Sequence, residues 1–158
     1  MRLKYFVTLC VCLMLAACSM QRSTLSYYDS KPQILRVEHD GTYVIRSTGK
    51  GRNSMSAMEE AQKKAVYQVV FSGISSLSSS TSPIKPLVLE VNAKDKYADY
   101  FNAFFADGGD YEQFVSSNGK RFGSSDFSKN RSQVLCRTDV SVDVAALKAR
   151  LIEDKIIK

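Results

Sequence analysis

The chain has few of the residues that usually carry catalysis or crosslink a small fold. It contains no tryptophan, one histidine and three prolines among 158 residues. Three of its four cysteines, Cys10, Cys12 and Cys18, lie at the N-terminal end. A disulfide framework beyond Cys18 is excluded, because Cys136 is the only cysteine there, and we interpret it as a small buried hydrophobe on a strand. A catalytic thiol at Cys136 would have no imidazole to activate it, because the single histidine, His39, lies beside a predicted turn.

A strong charge of one sign and a long apolar run are also missing. The formal net charge is +6, and Arg2 and Lys4 at the N-terminal end contribute to it. The remaining excess is small and scattered, which argues against binding to nucleic acid. The apolar run of residues 6–15 stops before the polar Ser19, well short of the about 20 residues that a bilayer-spanning helix needs.

The first 18 residues have the three-part layout of a secretory signal. A positively charged start is followed by the apolar residues 6–15 and by two alanines. The tetrad Leu15-Ala16-Ala17-Cys18 resembles the lipobox of bacterial lipoproteins, in which the thiol is alkylated with diacylglycerol before the signal is cut. The resemblance implies that residues 1–17 are removed and that Cys18 carries a lipid anchor. An ordinary cleaved signal with an incidental cysteine is the alternative.

The residues around the anchor also predict a location. Residues 18–32 are polar and lack periodicity, so they are expected to form the lipidated N-terminus and a flexible tether. Ser19 resembles sorting signals that permit export from the inner membrane, and no acidic run follows Cys18. We therefore expect a membrane-anchored protein of the cell envelope, on the periplasmic side of the outer membrane. Surface display remains an alternative, and the oligomeric state stays open.

Residues 33–158 are predicted to form a single α+β domain, with an antiparallel sheet packed against two to three helices. Strand formers at residues 34–38 and 43–48 flank the turn signal Asp40-Gly41, which predicts an N-terminal β-hairpin. Apolar residues alternate with polar ones from residue 134 to residue 144, which predicts a long C-terminal strand with one face inward.

Two helices are predicted from spacing and capping signals. Ser56 and Glu59 have the spacing of a capping box and predict a helix start. Its buried face is predicted to contain Met58, Ala61, Ala65, Val66, Val69, Val70 and Gly73. A closing helix is predicted from Ala145 to about Ile156, with Leu147, Leu151 and Ile152 as its inward side chains.

A third helix is predicted from Asn92, with Asp95 in its first turn, to the glycine pair Gly108-Gly109. Residues 75–86 are rich in serine and residues 116–132 are polar, so both segments are predicted to be loops. The helix carries an aromatic stripe that we interpret as core and that would become the best partner-binding surface if part of it is exposed: Tyr97, Tyr100, Phe101, Phe104 and Phe105.

One segment has the composition of an anion site. Gly49-Lys50-Gly51 is predicted to form a turn between strand and helix, where free N–H groups bind anions, and Arg46, Lys50, Gly51 and Arg52 are the candidate residues. The segment lacks the third glycine of a dinucleotide fingerprint and the ending of a P-loop. The alternative is that the glycines serve a sharp turn and a close approach of helix and sheet.

No metal site, cofactor or catalytic group is predicted. Asp107, Asp110 and Glu112 cluster around two glycines but do not fit the calcium-binding loop. The serines do not form a nucleophile elbow, and His39 would have to be recruited from a turn. We therefore expect a protein that is not an enzyme, and an envelope hydrolase that joins His39 to a serine or an acid is the least favoured alternative.

Short motifs resemble one family of envelope modules. Gly49-Lys50-Gly51, three alanines at residues 57, 61 and 65, and the segment Val144-Ala145-Ala146-Leu147 are similar to the LPP20 lipoprotein family and to the N-terminal domain of the flagellar-assembly protein FlgT. The similarity covers about residues 36–72 and 134–156, and residues 75–133 depart from it. The resemblance implies a non-catalytic structural or assembly role with an envelope protein partner. The alternative is a lipoprotein that recognises a glycan or anion through the basic glycine turn.

Overall fold

The computed structural model describes residues 31–76, 81–117, 126–130 and 133–158. The predicted signal, Cys18 and most of the predicted tether lie outside these residues. The strands are β1 (Gln33–Val37), β2 (Thr42–Gly51), β3 (Val115–Ser117), β4 (Asp126–Asn130) and β5 (Gln133–Asp143). The helices are α1 (Ser54–Phe71), α2 (Ala93–Lys96), α3 (Ala98–Phe104) and α4 (Val144–Glu153), with a 3-10 helix at Asp110–Phe114. The predicted α+β class with an antiparallel sheet is confirmed.

Strand β5 is the centre of the sheet. It pairs antiparallel with β2 from Thr42↔Asp143 to Gly51↔Val134, and β2 pairs with β1 as the predicted hairpin. The other edge of β5 is shared by β3 and β4. The polar segment 116–132 was predicted to be a loop throughout, and this is wrong for β4 and for Ser116 and Ser117 of β3. The polar sequence of β4, Asp-Phe-Ser-Lys-Asn, has little strand propensity, and its backbone is held by the long edge that β5 offers.

Both faces of β5 are buried, so the predicted alternation of buried and exposed positions is wrong. The positions expected to face solvent include Leu135, Asp139 and Ser141, which are all under 9% exposed. Strands cover both edges of β5. In addition, Arg46 donates from Nε and Nη2 to the two carboxylate oxygens of Asp139, at 2.8 and 3.1 Å. A buried carboxylate is tolerated here because it is paired.

Helix α1 lies directly on the sheet. The predicted apolar face is largely confirmed, with Ala61, Ala65, Val66, Val69 and Val70 buried. Met58 is only partly buried and Gly73 lies beyond the end of the helix, whereas Ala57, which was not predicted, is buried. Gly49 and Gly51 belong to strand β2, so the predicted glycine turn is wrong. A Cβ at Gly49 would lie 2.1 Å from the carbonyl oxygen of Ala57 and 2.3 Å from the nitrogen of Ala61. The glycines therefore serve the close approach of strand and helix.

Helix α1 begins earlier than its predicted cap. Asn53 is the N-cap: its side chain accepts from the Ser56 N–H at 2.9 Å, and Ser56 Oγ accepts from the Asn53 N–H at 3.2 Å. Asn53 and Ser56 therefore form a capping box. Ser56 is the third residue of the helix in this box, whereas the prediction had Ser56 as the N-cap. Glu59 is exposed beyond it.

The predicted aromatic helix is broken in two. Asn92 has φ 68° in the left-handed region and makes no side-chain capping bond, and Tyr97 leaves helical geometry between α2 and α3. Helix α3 ends at Phe104, before the predicted stop at Gly108-Gly109. Phe101 and Phe104 are buried and the other three rings of the stripe pack partly against the core, as predicted.

Helix α4 closes the main hydrophobic core. The Asp143 side chain accepts from the Ala146 N–H at 2.8 Å and caps its N-terminus. Leu147 and Leu151 are buried as predicted, whereas Ile152 is 46% exposed because the helix presents a narrower face than expected. The core lies between the sheet, α1, α3 and α4, with Tyr111 of the 3-10 helix inside it.

Candidate functional site

The predicted anion-binding residues lie along one strand and its end. Arg46 and Lys50 are on the same face of β2, Gly51 ends that strand and packs against α1, and Arg52 is exposed just beyond it. Arg46 is already held by Asp139, and the Asn53 side chain occupies an N–H group at the start of α1. Anion binding at these residues stays a prediction, and the helix N-terminus on which it rested is already capped.

A groove that includes two rings of the predicted aromatic stripe lies between α1 and the α2–α3 segment. Its volume is about 480 Å³ and it is open to solvent on one side. Its floor and walls are aromatic, with Tyr67 and Phe71 from α1 and Phe101 and Phe105 from the opposite side. Its remaining lining residues are Glu60, Lys63, Lys64, Lys94, Ala98 and Asn102. We call this feature the aromatic groove.

The rings of the aromatic groove form tilted walls. The centroids of Tyr67 and Phe71 are 4.8 Å apart with planes at 52°, and those of Tyr67 and Phe105 are 5.7 Å apart at 58°. Phe71 meets the buried Phe101 edge-on at 4.7 Å. Aromatic pairs at these distances and tilts stabilise each other, so the walls are held in place before any ligand arrives.

Lysines give the aromatic groove a positive rim. Lys94 Nζ lies 4.6 Å from the ring centroid of Tyr67 and 4.7 Å from that of Phe71, within the range of cation–π attraction. Lys94 makes no ion pair with any carboxylate that the structure describes. Lys63 pairs with Asp107 at 2.9 Å, and this hydrogen bond holds the pKa of Asp107 below its usual value.

The spacing of α1 contained a signal for this groove. Lys63, Tyr67 and Phe71 recur every four residues and so form a second stripe beside the buried alanines and valines. The prediction considered only the stripe that packs on the sheet. The partner of the second stripe, α3, comes from a distant part of the chain, and its angle against α1 could not be derived from spacing.

A second polar cluster ties α3, α4 and the 3-10 helix together. Tyr100 Oη donates to Asp154 Oδ2 at 2.7 Å, and Arg150 donates to Asp154 at 2.8 Å and to Asp110 at 3.0 Å. Burial, and then the bond to Asp154, raises the pKa of Tyr100, while the Tyr100 hydrogen bond lowers the pKa of Asp154. Because these donors and acceptors engage one another, the cluster acts as a structural tie.

The acidic residues near Gly108-Gly109 are distributed among separate partners. Asp107 pairs with Lys63, Asp110 with Arg150, and Glu112 accepts from the Gly108 N–H at 3.0 Å. In the described part of the chain, no group of three or more histidine, cysteine, aspartate or glutamate residues is arranged to hold a metal ion.

The single histidine and the buried cysteine lie far apart in the architecture. His39 is exposed in the β1–β2 turn, whereas Cys136 is buried on β5 against Ala57 and Val134, as its interpretation as a small hydrophobe predicted. Among the residues that the structure describes, no helix is both long and apolar enough to cross a bilayer. Comparisons with protein-family models, curated proteins and solved structures found no match to this chain.

Proposed function

We propose that this protein is a non-enzymatic lipoprotein of the bacterial cell envelope, anchored through Cys18 and acting by binding another envelope component. The observation that carries the proposal is the tetrad Leu15-Ala16-Ala17-Cys18 behind a charged start and an apolar run. Two or three acyl chains on the cysteine anchor a protein stably, because each buried methylene contributes about 0.8 kcal/mol.

The chain length between anchor and domain suits this role. Pro32 is buried, so the folded part of the chain includes at least the last residue of the proposed tether. Fully extended, residues 19–32 reach about 45–50 Å, which lets the domain stand clear of lipid headgroups. The favoured location is the periplasmic face of the outer membrane.

The two segments that resemble envelope assembly modules pack on one another in this fold. The two similar segments, residues 36–72 and 134–156, contain β2 with α1 and β5 with α4. These elements pack on one another, since β2 and β5 pair along their length and α1 lies across both. Residues 75–133, which depart from the family pattern, add α2, α3, the 3-10 helix and the strands β3 and β4.

Fractionation tests the proposal. In cells producing the full chain, we expect the protein in the membrane fraction, and globomycin, which blocks cleavage of lipoprotein signals, should make a larger precursor accumulate. A Cys18→Ser variant should no longer be processed in a globomycin-sensitive way, whereas Cys12→Ser should behave as the unaltered protein does. No precursor in the presence of globomycin would refute the lipobox assignment.

A further inference from the structure

We infer that the aromatic groove binds a short acidic peptide segment, which inserts one apolar side chain between the rings and places a carboxylate at Lys94. That the segment belongs to an envelope protein rests on the proposed function. The groove itself, its walls and its charge do not depend on the lipid anchor. Tyr67, Phe71, Phe105 and Lys94 are the residues assigned to recognition.

The tilted walls favour an inserted side chain over a stacked flat ring. Tyr67 is inclined by 52° to Phe71 and by 58° to Phe105. A nucleobase or a sugar face would therefore stack on only one ring, because the others turn away from its plane. A phenylalanine or leucine side chain would contact several rings at once, and a side chain buried in a well-packed pocket contributes most to the binding energy of an interface.

The charge of the rim selects an acidic partner. Lys94 holds its ammonium over Tyr67 and Phe71 at 4.6 and 4.7 Å and has no carboxylate partner among the described residues. Three lysines line the groove against one acidic residue, Glu60, although Lys63 is paired with Asp107. A peptide carboxylate would meet Lys94 at the edge of a partly apolar surface, where charge-assisted hydrogen bonds are stronger than in water.

The size and the open side of the groove suit an extended segment. A volume of about 480 Å³ falls within the range of ligand sites, about 300–1,000 Å³. Small molecules are usually buried over most of their surface, which an open groove does not provide. A peptide can lie along the open side and bury only the one side chain that enters.

The experiment selects a phage-displayed library of random heptapeptides on the full chain, purified from membranes in detergent. We expect the enriched peptides to combine aspartate or glutamate with a neighbouring aromatic or branched apolar residue. Their affinities are then measured by fluorescence anisotropy of labelled synthetic copies. Replacing the acidic residue of a selected peptide by its amide should weaken binding by about tenfold.

Two pairs of variants test the location. Ala98→Trp fills the groove and should weaken binding by at least about tenfold, whereas Ala103→Trp, at an exposed position of the same helix, should leave it unchanged. Lys94→Glu should weaken binding by about tenfold or more. Its control is Lys148→Glu, which makes the same change of net charge on the exposed side of α4 and should leave binding unchanged. Circular dichroism and urea unfolding confirm that all four variants fold.

Several outcomes would overturn the inference. They are the absence of any enriched peptide, enriched peptides without acidic residues, and equal binding to the Ala98→Trp variant. Binding of soluble peptidoglycan fragments that Ala98→Trp abolishes would assign the groove to a glycan instead. The intact mass of the same preparation reports separately on Cys18, so an unlipidated protein that binds acidic peptides would refute the anchor and leave the groove assignment standing.

Discussion

Gly49 lies where the backbone of α1 touches strand β2. We expect Gly49→Ala to destabilise the protein by about 3 kcal/mol, because overpacking at a rigid contact forces the backbone to move. The added methyl group would meet the backbone of Ala57 and Ala61, neither of which can turn aside as a flexible side chain would. The midpoint of urea unfolding measures the effect.

Gly108 is the matched control for this substitution. It has φ +72°, and a Cβ there would have nothing within 4 Å. Gly108→Ala should therefore cost only the strain of a left-handed alanine, about 1 kcal/mol. If Gly49→Ala were no more damaging than Gly108→Ala, the close packing of α1 on β2 would be wrong.

Ser47 and Ser56 carry hydroxyl groups in opposite situations. Ser47 Oγ is buried on β2 without a hydrogen-bond partner among the described residues, whereas Ser56 Oγ takes part in the capping box. We expect Ser47→Ala to leave the free energy of unfolding unchanged or to raise it by about 0.5 kcal/mol, because an unpaired buried polar group is costly. Ser56→Ala should lower it by about 1 kcal/mol. Equal losses in thermal or urea unfolding would contradict this assignment.

At the scale of elements, the sequence pattern and the structure place the start of α1 at different residues. The pattern predicted a box of Ser56 and Glu59, and the structure shows one of Asn53 and Ser56. Asn53→Ala should therefore lower the free energy of unfolding by about 1 kcal/mol, whereas Glu59→Ala should change it by less than about 0.5 kcal/mol. Helix content and unfolding midpoint are the measurements. The reverse order of effects would restore the predicted cap.

The elements that were predicted correctly carry their signals locally. The Asp40-Gly41 turn, the run of strand-forming residues in β5 and the apolar face of α1 each depend on neighbouring residues, and each element formed. Strand β4 is polar and exists because β5 offers an edge, which no local pattern records.

The candidate site was less predictable than the fold. The aromatic stripe from Tyr97 to Phe105 was identified, and its main role in the core is confirmed. The aromatic groove requires the side of α1 that carries Tyr67 and Phe71 to meet α3, and this contact joins segments about one quarter of the chain apart. The basic residues from Arg46 to Arg52 were predicted to bind an anion because of their composition. The sequence did not indicate that Arg46 pairs with Asp139.

At the scale of the whole molecule, buried tyrosines should make the fold sensitive to alkali. Burial, and then nearby carboxylates, raises the pKa of Tyr111 to about 12 from 10.0. The folded state thus favours the neutral phenol, so the stabilisation is complete below pH 10 and is lost as the pH rises from about 10 toward 12.

Unfolding in urea across this pH range tests the expectation. The midpoint of the unaltered protein should fall as the pH rises above about 10. Tyr111→Phe keeps the buried ring and lacks the ionisable group, so its midpoint should fall less over the same range. Parallel curves for the two proteins would show that Tyr111 does not contribute to the alkaline loss.

The proposed anchor at Cys18 would determine where the whole domain works, and a single measurement tests it most directly. The intact mass of protein extracted from membranes should equal that of residues 18–158 with a diacylglyceryl group on the Cys18 sulfur, with or without an acyl chain on its amino group. Fragmentation should place the added mass on that residue. An unmodified Cys18, with residues 1–17 still attached or cleaved at another bond, would contradict the account.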